Sequence, residues 1–201
     1  MKVIGICGGS GSGKTTLLKR LAEQFGNLEP TIFSMDNYYK PIEDQFMDDN
    51  GQVNFDLPDS LHRDHLFNDL KQLKNGEAVE IVEYQFNTKS EKTKLITLQP
   101  SKLLIVEGIF LFHYEEVRSL LDFSIFVDVE LDTQLDRRLY RDQESRGYSR
   151  ENILYQWHNH VLPCYENYLE PYRPFADFCF KNDHRHEEEF QRLLNHLPMS
   201  K

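Results

Sequence analysis

The sequence contains few cysteines and no long apolar run. Its 201 residues include only 3 cysteines. Cys7, Cys164 and Cys179 are widely spaced and odd in number, which favours reduced core thiols over a disulfide framework. No apolar stretch approaches the roughly 20 residues that a membrane helix needs, so we expect no membrane partner. A strand pattern begins at Lys2 and leaves no room for a signal peptide, so we expect a cytoplasmic protein.

Basic charge is also scarce. The chain has 23 Lys and Arg residues against 33 Asp and Glu residues, which gives a formal net charge of −10. A field of that sign repels nucleic acid. The one dense basic stretch, residues 136–146, is interleaved with acids, which is more typical of a helix that reaches for a small anion than of a duplex-binding surface. We therefore expect no nucleic-acid partner, and the question of a homo-oligomer stays open.

Strand patterns alternate with helix patterns along the chain. Short apolar runs predict strands at 2–7, 31–35, 102–106, 123–129 and 177–181. Amphipathic spacing predicts helices at 14–25, 58–73, 131–145, 150–168 and 185–197. This alternation predicts one α/β domain over 1–201, a parallel sheet between two helical layers. A β-hairpin at about 78–98 and a helical lid at about 131–150 are expected as appendages of this three-layer α/β/α fold.

The most specific motif follows the first strand. Its residues are Gly8, Gly9, Ser10, Gly11, Ser12, Gly13, Lys14 and Thr15. They match the phosphate-binding pattern G-x-x-x-x-G-K-[ST], with an apolar strand before the motif and a helix pattern after it. Glycines let backbone amides approach phosphate oxygens, Lys14 adds a charge for the outer phosphates, and the Thr15 hydroxyl can ligate Mg²⁺. The sequence therefore predicts a bound nucleoside triphosphate, either ATP or GTP.

The remaining sequence narrows the class of phosphate-loop protein. A GTPase should carry a base-reading Asn-Lys-x-Asp motif, and the sequence has none. The segment 48–51 matches Asp-x-x-Gly, but no apolar strand leads into it, so we interpret it as an acidic turn. A kinase that acts on a small hydroxyl compound fits best.

Two carboxylates end predicted strands on the edge where the phosphate loop opens. Asp36 is a candidate for orienting or deprotonating an acceptor hydroxyl. Glu107 is a candidate for holding Mg²⁺ together with Thr15. Both predictions follow from the rule that such sheets bind ligands at the carboxyl ends of their strands.

Arginines are concentrated in the predicted lid helix. Arg138 and Arg141 are three apart and lie close to one helix face, whereas Arg137 points elsewhere. Cations that close over a transferring phosphoryl group would stabilise its charge and exclude water. Near the following helix, His158 and His160 are two apart, so their imidazoles diverge and cannot share a metal ion.

From about Val3 to Lys181 the chain resembles uridine kinases, within the wider group of phosphate-loop kinases that includes nicotinamide riboside kinase, phosphoribulokinase and pantothenate kinase. The resemblance rests on the phosphate loop and on the segments 34–39 (SMDNYY), 54–59 (NFDLPD), 106–109 (VEGI), 137–142 (RRLYRD), 145–147 (SRG) and 172–177. The segments at 34–39 and 54–59 are the specific ones.

The resemblance implies that the three-layer α/β/α domain has the P-loop kinase fold, and it implies a role for individual residues. It implies that Asp36 is the catalytic carboxylate and that Lys14, Arg141 and Arg146 act on the phosphates. Its implied nucleoside-binding residues are Tyr39, Phe55, Asp56, Tyr84, Lys89, Arg138 and Gln156, with Asp56 and Arg138 on the ribose hydroxyls. The cofactors it implies are ATP and Mg²⁺, and the partner is a small nucleoside-like substrate.

The sequence departs from the uridine kinase pattern in the hairpin. Uridine kinases usually have Tyr-Asp-Phe or Tyr-Asp-Tyr and then a histidine that contacts the pyrimidine, whereas this chain has Gln85 after Tyr84 and Lys89 at the histidine's place. Lysine only donates hydrogen bonds, whereas neutral imidazole also accepts them. Tyr148 stands where uridine kinases often have an arginine. The phosphate chemistry is complete, and the base-recognition segment is atypical.

Three hypotheses follow. The leading one is ATP-dependent phosphorylation of the 5′-hydroxyl of uridine or cytidine. The second keeps this chemistry with nicotinamide riboside or another small hydroxyl compound as the acceptor. The third is a regulatory nucleotide-binding module without kinase activity, for which ribose contacts such as Asp56 and Arg138 would be unnecessary.

Overall fold

A five-stranded parallel sheet forms the centre of the computed structural model, which describes residues 1–84 and 94–198. The strand order is β2-β7-β1-β8-β9. These strands are β1 (Lys2–Cys7), β2 (Thr31–Ser34), β7 (Leu103–Glu107), β8 (Phe123–Asp128) and β9 (Phe178–Lys181). The predicted parallel α/β sheet is thereby confirmed, since all four strand pairings are parallel.

Helices cover both faces of the sheet. They are α1 (Lys14–Gln24), α2 (Arg63–Lys74), α3 (Glu115–Arg118), α4 (Leu131–Arg146), α5 (Arg150–Gln156), α6 (Leu162–Cys164) and α7 (His186–His196). Alternate residues of β1 point to opposite faces, as a strand requires. Val3 and Cys7 enter the core shared with α2, whereas Ile4 and Ile6 enter the core shared with α1 and α7. Among the described residues, no helix combines the length and apolar character needed to cross a membrane.

Two short antiparallel pairs stand apart from the sheet. One pairs β5 (Val79–Val82) with β6 (Leu95–Leu98), as predicted for the ends of the 78–98 hairpin. The other pairs β3 (Phe46–Met47) with β4 (Val53–Asn54), one on each side of the segment 48–51 that we interpreted as an acidic turn. The Asp48 carboxylate accepts the backbone amides of Asn50 and Gln52 at 3.0 and 2.8 Å, which closes the turn of this second pair. We call residues 46–54 the 46–54 hairpin.

Two helix predictions were wrong in their bounds. The helix expected to start at Pro58 begins at Arg63, because Pro58–Ser60 is a 3₁₀ turn and Leu61 is extended and bridges to Tyr39. The long helix expected over 150–168 continues past α5 but widens into two π-helical turns, Trp157–Val161 and Tyr165–Leu169. Helical periodicity in the sequence does not distinguish a π turn from an α turn over five residues.

Candidate active site

The phosphate loop connects β1 to the N-terminus of α1. Gly11 and Gly13 have φ angles of +82° and +97°, in the left-handed region that favours glycine. A Cβ atom at Gly11 would collide with the carbonyl oxygen of Gln134 in α4, so the loop and α4 are in close contact. The Lys14 ammonium donates to the Gly9 carbonyl at 3.0 Å. The loop leads directly into the N-terminus of the 11-residue helix α1, where the first backbone amides have no partner within the helix. This is the geometry of an anion-binding loop.

Three arginines of α4 contact this loop. Arg138 and Arg141 both reach the Ser10 hydroxyl, at 3.0 and 3.4 Å. Arg137 points in another direction, as the helical spacing predicted, but it also reaches the loop, through the Ser12 carbonyl at 3.3 Å. Arg137 was not predicted as a site residue, because its helical spacing places it on a different side of α4 from Arg138 and Arg141.

A single buried aspartate contacts three of the arginines of α4. The Asp142 side chain is 1% exposed and lies 3.3 Å from Arg138, 2.7 Å from Arg141 and 3.4 Å from Arg146. Asp142 was not among the predicted site residues. Its spacing of four from both Arg138 and Arg146 was the available signal.

Asp36 and Glu107 meet at the carboxyl ends of neighbouring strands. Ser34 of β2 pairs in register with Glu107 of β7, and the Ser34 hydroxyl donates to Glu107 Oε1 at 2.9 Å. The Ser34 hydroxyl also accepts the Asp36 amide at 3.3 Å. Burial raises the pKa of Asp36, although Lys14 and Arg146 act in the opposite direction. Burial and then the nearby Asp36 raise the pKa of Glu107.

Aromatic side chains form the opposite wall. The Tyr39 ring lies 5.9 Å from the Phe55 ring, edge to face, and 5.3 Å from the Tyr84 ring. The Tyr84 amide donates to Asn37 Oδ1 at 3.0 Å, which ties Tyr84 to the turn after β2 that carries Asp36. This wall has the apolar, flat character that a heterocyclic base requires.

Asp56 is buried between the aromatic wall and α4. Burial raises its pKa, and the nearby charge of Arg138 acts in the opposite direction. Arg138 also donates to Gln156 Oε1 at 2.8 Å. Arg138 therefore connects the phosphate loop, through Ser10, with Gln156 on the far side of the site.

One cavity of about 580 Å³ joins these groups, a size typical of a small-molecule site. Most of the predicted site residues line it: Ser10, Gly11, Gly13, Lys14, Thr15, Asp36, Tyr39, Phe55, Asp56, Tyr84, Glu107, Arg138, Arg141, Arg146 and Gln156. Gly8, Gly9 and Ser12 are not among its lining residues, and Ser12 is fully buried. Lys89 lies outside the described residues, as do Gln85 and the tip of the predicted hairpin.

Several lining residues were not predicted as site residues. They are Thr16, Ile42, Val53, Ile109, Arg137, Asp142, Tyr148 and His160. Ile42 precedes and Val53 follows the segment 48–51 that we interpreted as an acidic turn, and both line the cavity. His160 was considered only as a metal ligand and dismissed, and the structure separates it from His158, since His160 is 3% exposed and His158 is exposed.

Comparisons with known proteins agree with this geometry. The sequence pattern of the Phosphoribulokinase / Uridine kinase family matches residues 3–186. A uridine kinase from Chlamydia pneumoniae is 37% identical over 202 residues, which cover 98% of this chain and 90% of that protein. A uridine kinase from Borrelia duttonii is also 37% identical, over 98% of this chain and 94% of the relative.

A solved phosphoribulokinase from Rhodobacter spheroides shares the fold, with a TM-score of 0.65, 15% sequence identity, and coverage of 90% of this chain and 69% of that one. The predicted P-loop kinase fold, the resemblance to uridine kinases and the prediction of a phosphotransferase are confirmed. The chain belongs to the phosphoribulokinase / uridine kinase family.

Proposed function

We propose that this chain transfers the γ-phosphoryl group of ATP to the 5′-hydroxyl of uridine or cytidine. The observation that carries the proposal is that one cavity contains both the phosphate loop and, across from it, Asp36, Asp56 and an aromatic wall. The uridine kinases that are 37% identical over almost the whole chain point to the same acceptor.

The donor side fits a nucleoside triphosphate. A Cβ atom at Gly11 would collide with the Gln134 carbonyl oxygen, and one at Gly13 with the Asn182 side-chain amide, so only glycine lets the loop adopt this conformation in contact with these residues. Lys14, Arg141 and Arg146 would bind the phosphate oxygens. Asn182 follows β9 and holds the loop through the Ser12 carbonyl at 2.6 Å.

Thr15 and Glu107 are the residues that would hold Mg²⁺. The described residues contain no group of three or more His, Cys, Asp or Glu side chains that could bind a metal ion by themselves. That donor set fits Mg²⁺, which usually takes one or two protein ligands and completes its shell with phosphate oxygens and waters. When bound, the ion would neutralise charge on the β- and γ-phosphates.

Asp36 is the group that we assign to the acceptor hydroxyl. Its burial raises its pKa, which makes the carboxylate a stronger base than an exposed aspartate. In the transfer, the 5′-oxygen forms a bond to the γ-phosphorus, the bond between that phosphorus and the β,γ-bridging oxygen breaks, and Asp36 accepts the hydroxyl proton. Arg141 and Arg146 stabilise the charge that spreads over the transferred group.

The remaining assignments concern the nucleoside. Asp56 and Arg138 would bind the ribose hydroxyls, since they are adjacent and carry opposite charge. Phe55, Tyr39 and Tyr84 would contact the base.

The acceptor is tested by measuring ADP release with ATP and Mg²⁺ in the presence of uridine, cytidine, nicotinamide riboside or no acceptor. We expect release that depends on uridine or cytidine, with the nucleoside 5′-monophosphate as product by mass spectrometry. Release only with nicotinamide riboside would keep the chemistry and overturn the acceptor. ATP binding without release stimulated by any acceptor would overturn the kinase assignment.

The matched variants for this assay are Asp36→Asn and Asp44→Asn. Asp36→Asn should lower kcat about 10²- to 10⁴-fold, the usual contribution of a general base, while ATP binding measured by calorimetry persists. Asp44 is exposed and does not line the cavity, so Asp44→Asn should behave as the wild type. Retained turnover in Asp36→Asn would contradict the role of Asp36.

A further inference from the structure

The carboxylate of Asp48 makes an unusual number of contacts for a residue in a surface turn. Its Oδ1 accepts the amides of Asn50 and Gln52 inside the 46–54 hairpin. Its Oδ2 accepts the Tyr155 hydroxyl at 2.6 Å and lies 2.8 Å from His160 Nε2. These hydrogen bonds, first of all the one from Tyr155, lower the pKa of Asp48. The carboxylate is therefore a fixed connection between the hairpin and the helix that begins at α5.

His160 occupies the inner end of this connection. Its side chain is 2% exposed, it lies in the π-helical turn Trp157–Val161, and it borders the cavity. It also lies close to Asp56 and acts to lower the pKa of that carboxylate, although by less than Arg138 does. The Tyr155 ring packs edge to face against the imidazole at 5.8 Å. With Nε2 at Asp48 and the ring packed on Tyr155, the imidazole has one orientation beside the residue assigned to the ribose.

A second set of contacts runs parallel to the first. The Gln52 side chain contacts Asn152 at 3.5 Å, and Asn152 Oδ1 accepts from Gln156 at 3.0 Å. Gln156 in turn accepts from Arg138, which reaches Ser10 of the phosphate loop. The position of the 46–54 hairpin is thereby linked to both Asp56 and Arg138, the two groups on the proposed ribose site.

The hairpin also supplies part of the acceptor wall. Val53 of β4 and Phe55 just after it line the cavity, while Phe46 and Met47 of β3 are 60% and 59% exposed. Little apolar packing therefore holds the outer strand in place. Polar contacts to the helix that begins at α5 hold this hairpin over the site: those of Asp48, with a smaller number from Asn50 to Tyr155 and from Gln52 to Asn152.

We propose that Asp48 is a positioning residue for the acceptor nucleoside: through His160 and Tyr155 it anchors the 46–54 hairpin and orients His160 beside Asp56. This inference rests on the proposed function for the identity of the acceptor, but the anchoring itself does not depend on it. Asp48 does not touch the reacting atoms. Its loss should weaken acceptor binding and leave the donor side unchanged.

The anchoring is tested on the protein without ligand, by hydrogen exchange and mass spectrometry. Asp48→Asn should accelerate exchange in the segment 46–54, whereas Asp49→Asn, at an exposed position of the same turn, should not. Unchanged exchange in Asp48→Asn would overturn the anchoring, whatever the acceptor proves to be.

The positioning role is tested by kinetics with the acceptor that the nucleoside panel identifies. Asp48→Asn should raise the KM for the acceptor about 10-fold, the loss expected when a hydrogen bond to a charged group is weakened, with the KM for ATP changed less than about twofold. The double variant Asp48→Asn/His160→Gln should raise the acceptor KM no more than the more severe single variant does, because each substitution removes the same contact between Asp48 and His160.

Two results would overturn this part of the inference. The first is an unchanged acceptor KM, even if the melting temperature falls, because that is what a merely structural connection predicts. The second is an equal rise of both KM values, which would indicate general damage to the site. Absence of uridine-dependent turnover in the wild type is a separate result, and it would count against the proposed function alone.

Discussion

The donor side and the acceptor side of the cavity differ in how their buried charges are compensated. On the donor side, Arg138, Arg141 and Arg146 of α4 share Asp142, which is 1% exposed, so part of their positive charge is compensated before any ligand binds. On the acceptor side, burial raises the pKa of Asp36 and Asp56, so negative charge is held at a cost to the folded state. We therefore expect the donor side to increase the free energy of unfolding. We expect the acceptor side to lower it, because its buried carboxylates serve the reaction rather than the fold.

The largest expected effect on stability is the loss of the buried donor-side charge. Asp142→Asn leaves Arg138, Arg141 and Arg146 close together without their shared partner. Breaking a buried ion pair from one side costs about 3–5 kcal/mol, and we expect about 3 kcal/mol in the free energy of unfolding because Arg141 and Arg146 are partly exposed. Urea unfolding of the ligand-free protein measures this loss.

The matched control is Asp136→Asn, an exposed position on the same helix, which should change the free energy of unfolding by less than about 0.5 kcal/mol. If Asp142→Asn were as stable as Asp136→Asn, the arginines would not need their buried partner, and the proposed contrast between the two halves would fail.

A smaller effect should be confined to the acceptor side. Phe55→Ala removes one aromatic face of the cavity, and base stacking on such a side chain is worth about 1–3 kcal/mol, so the acceptor KM should rise about 10- to 100-fold. The KM for ATP should stay the same, because the phosphate loop lies on the other side of the cavity. Steady-state kinetics with each substrate varied in turn measures both values.

Phe46→Ala is the control for this variant. Phe46 lies on β3, is 60% exposed and does not line the cavity, so its removal should leave the acceptor KM unchanged. A rise in the acceptor KM for Phe46→Ala as large as for Phe55→Ala would show that any disturbance of the 46–54 hairpin is sufficient, and stacking would not be the cause.

The same contrast decides what could be predicted from the sequence. On the donor side, the phosphate loop is a run of eight contiguous residues whose backbone would bind the phosphates. It could therefore be predicted from those residues and the strand before them. Asp36 and Glu107 could be predicted because parallel strands bring their carboxyl ends to one edge. The parallel sheet itself followed from alternating strand and helix patterns.

The acceptor side was predicted less completely, for physical reasons. Asp48 and His160 are 112 residues apart and meet only because a two-residue strand pair turns inside an acidic segment. Strands of two residues leave no periodic pattern to detect. Asp56, Phe55 and Tyr39 could be named only through the resemblance to a family, since nothing in their spacing places them around a common cavity.

The smallest predicted effect concerns the pH dependence of stability. The pKa of Asp36 is higher in the folded chain than in the unfolded chain, so the folded state binds more protons on this group between the two values. Its contribution to stability is complete below the unfolded pKa and is lost as the pH rises through the folded pKa. Asp36→Asn removes this loss and should raise the free energy of unfolding by about 1 kcal/mol at neutral pH, a usual size for a stabilising change at a functional site. The gain should be absent at low pH, grow as the pH rises through the window between the two pKa values, and then level off.

Urea unfolding at a series of pH values measures this gain in the free energy of unfolding, and Asp36→Ala should show the same pH slope if charge rather than packing is the cause. A gain that shrinks as the pH rises would mean that the neighbouring Lys14 and Arg146 outweigh burial, and the acceptor side would then be compensated like the donor side.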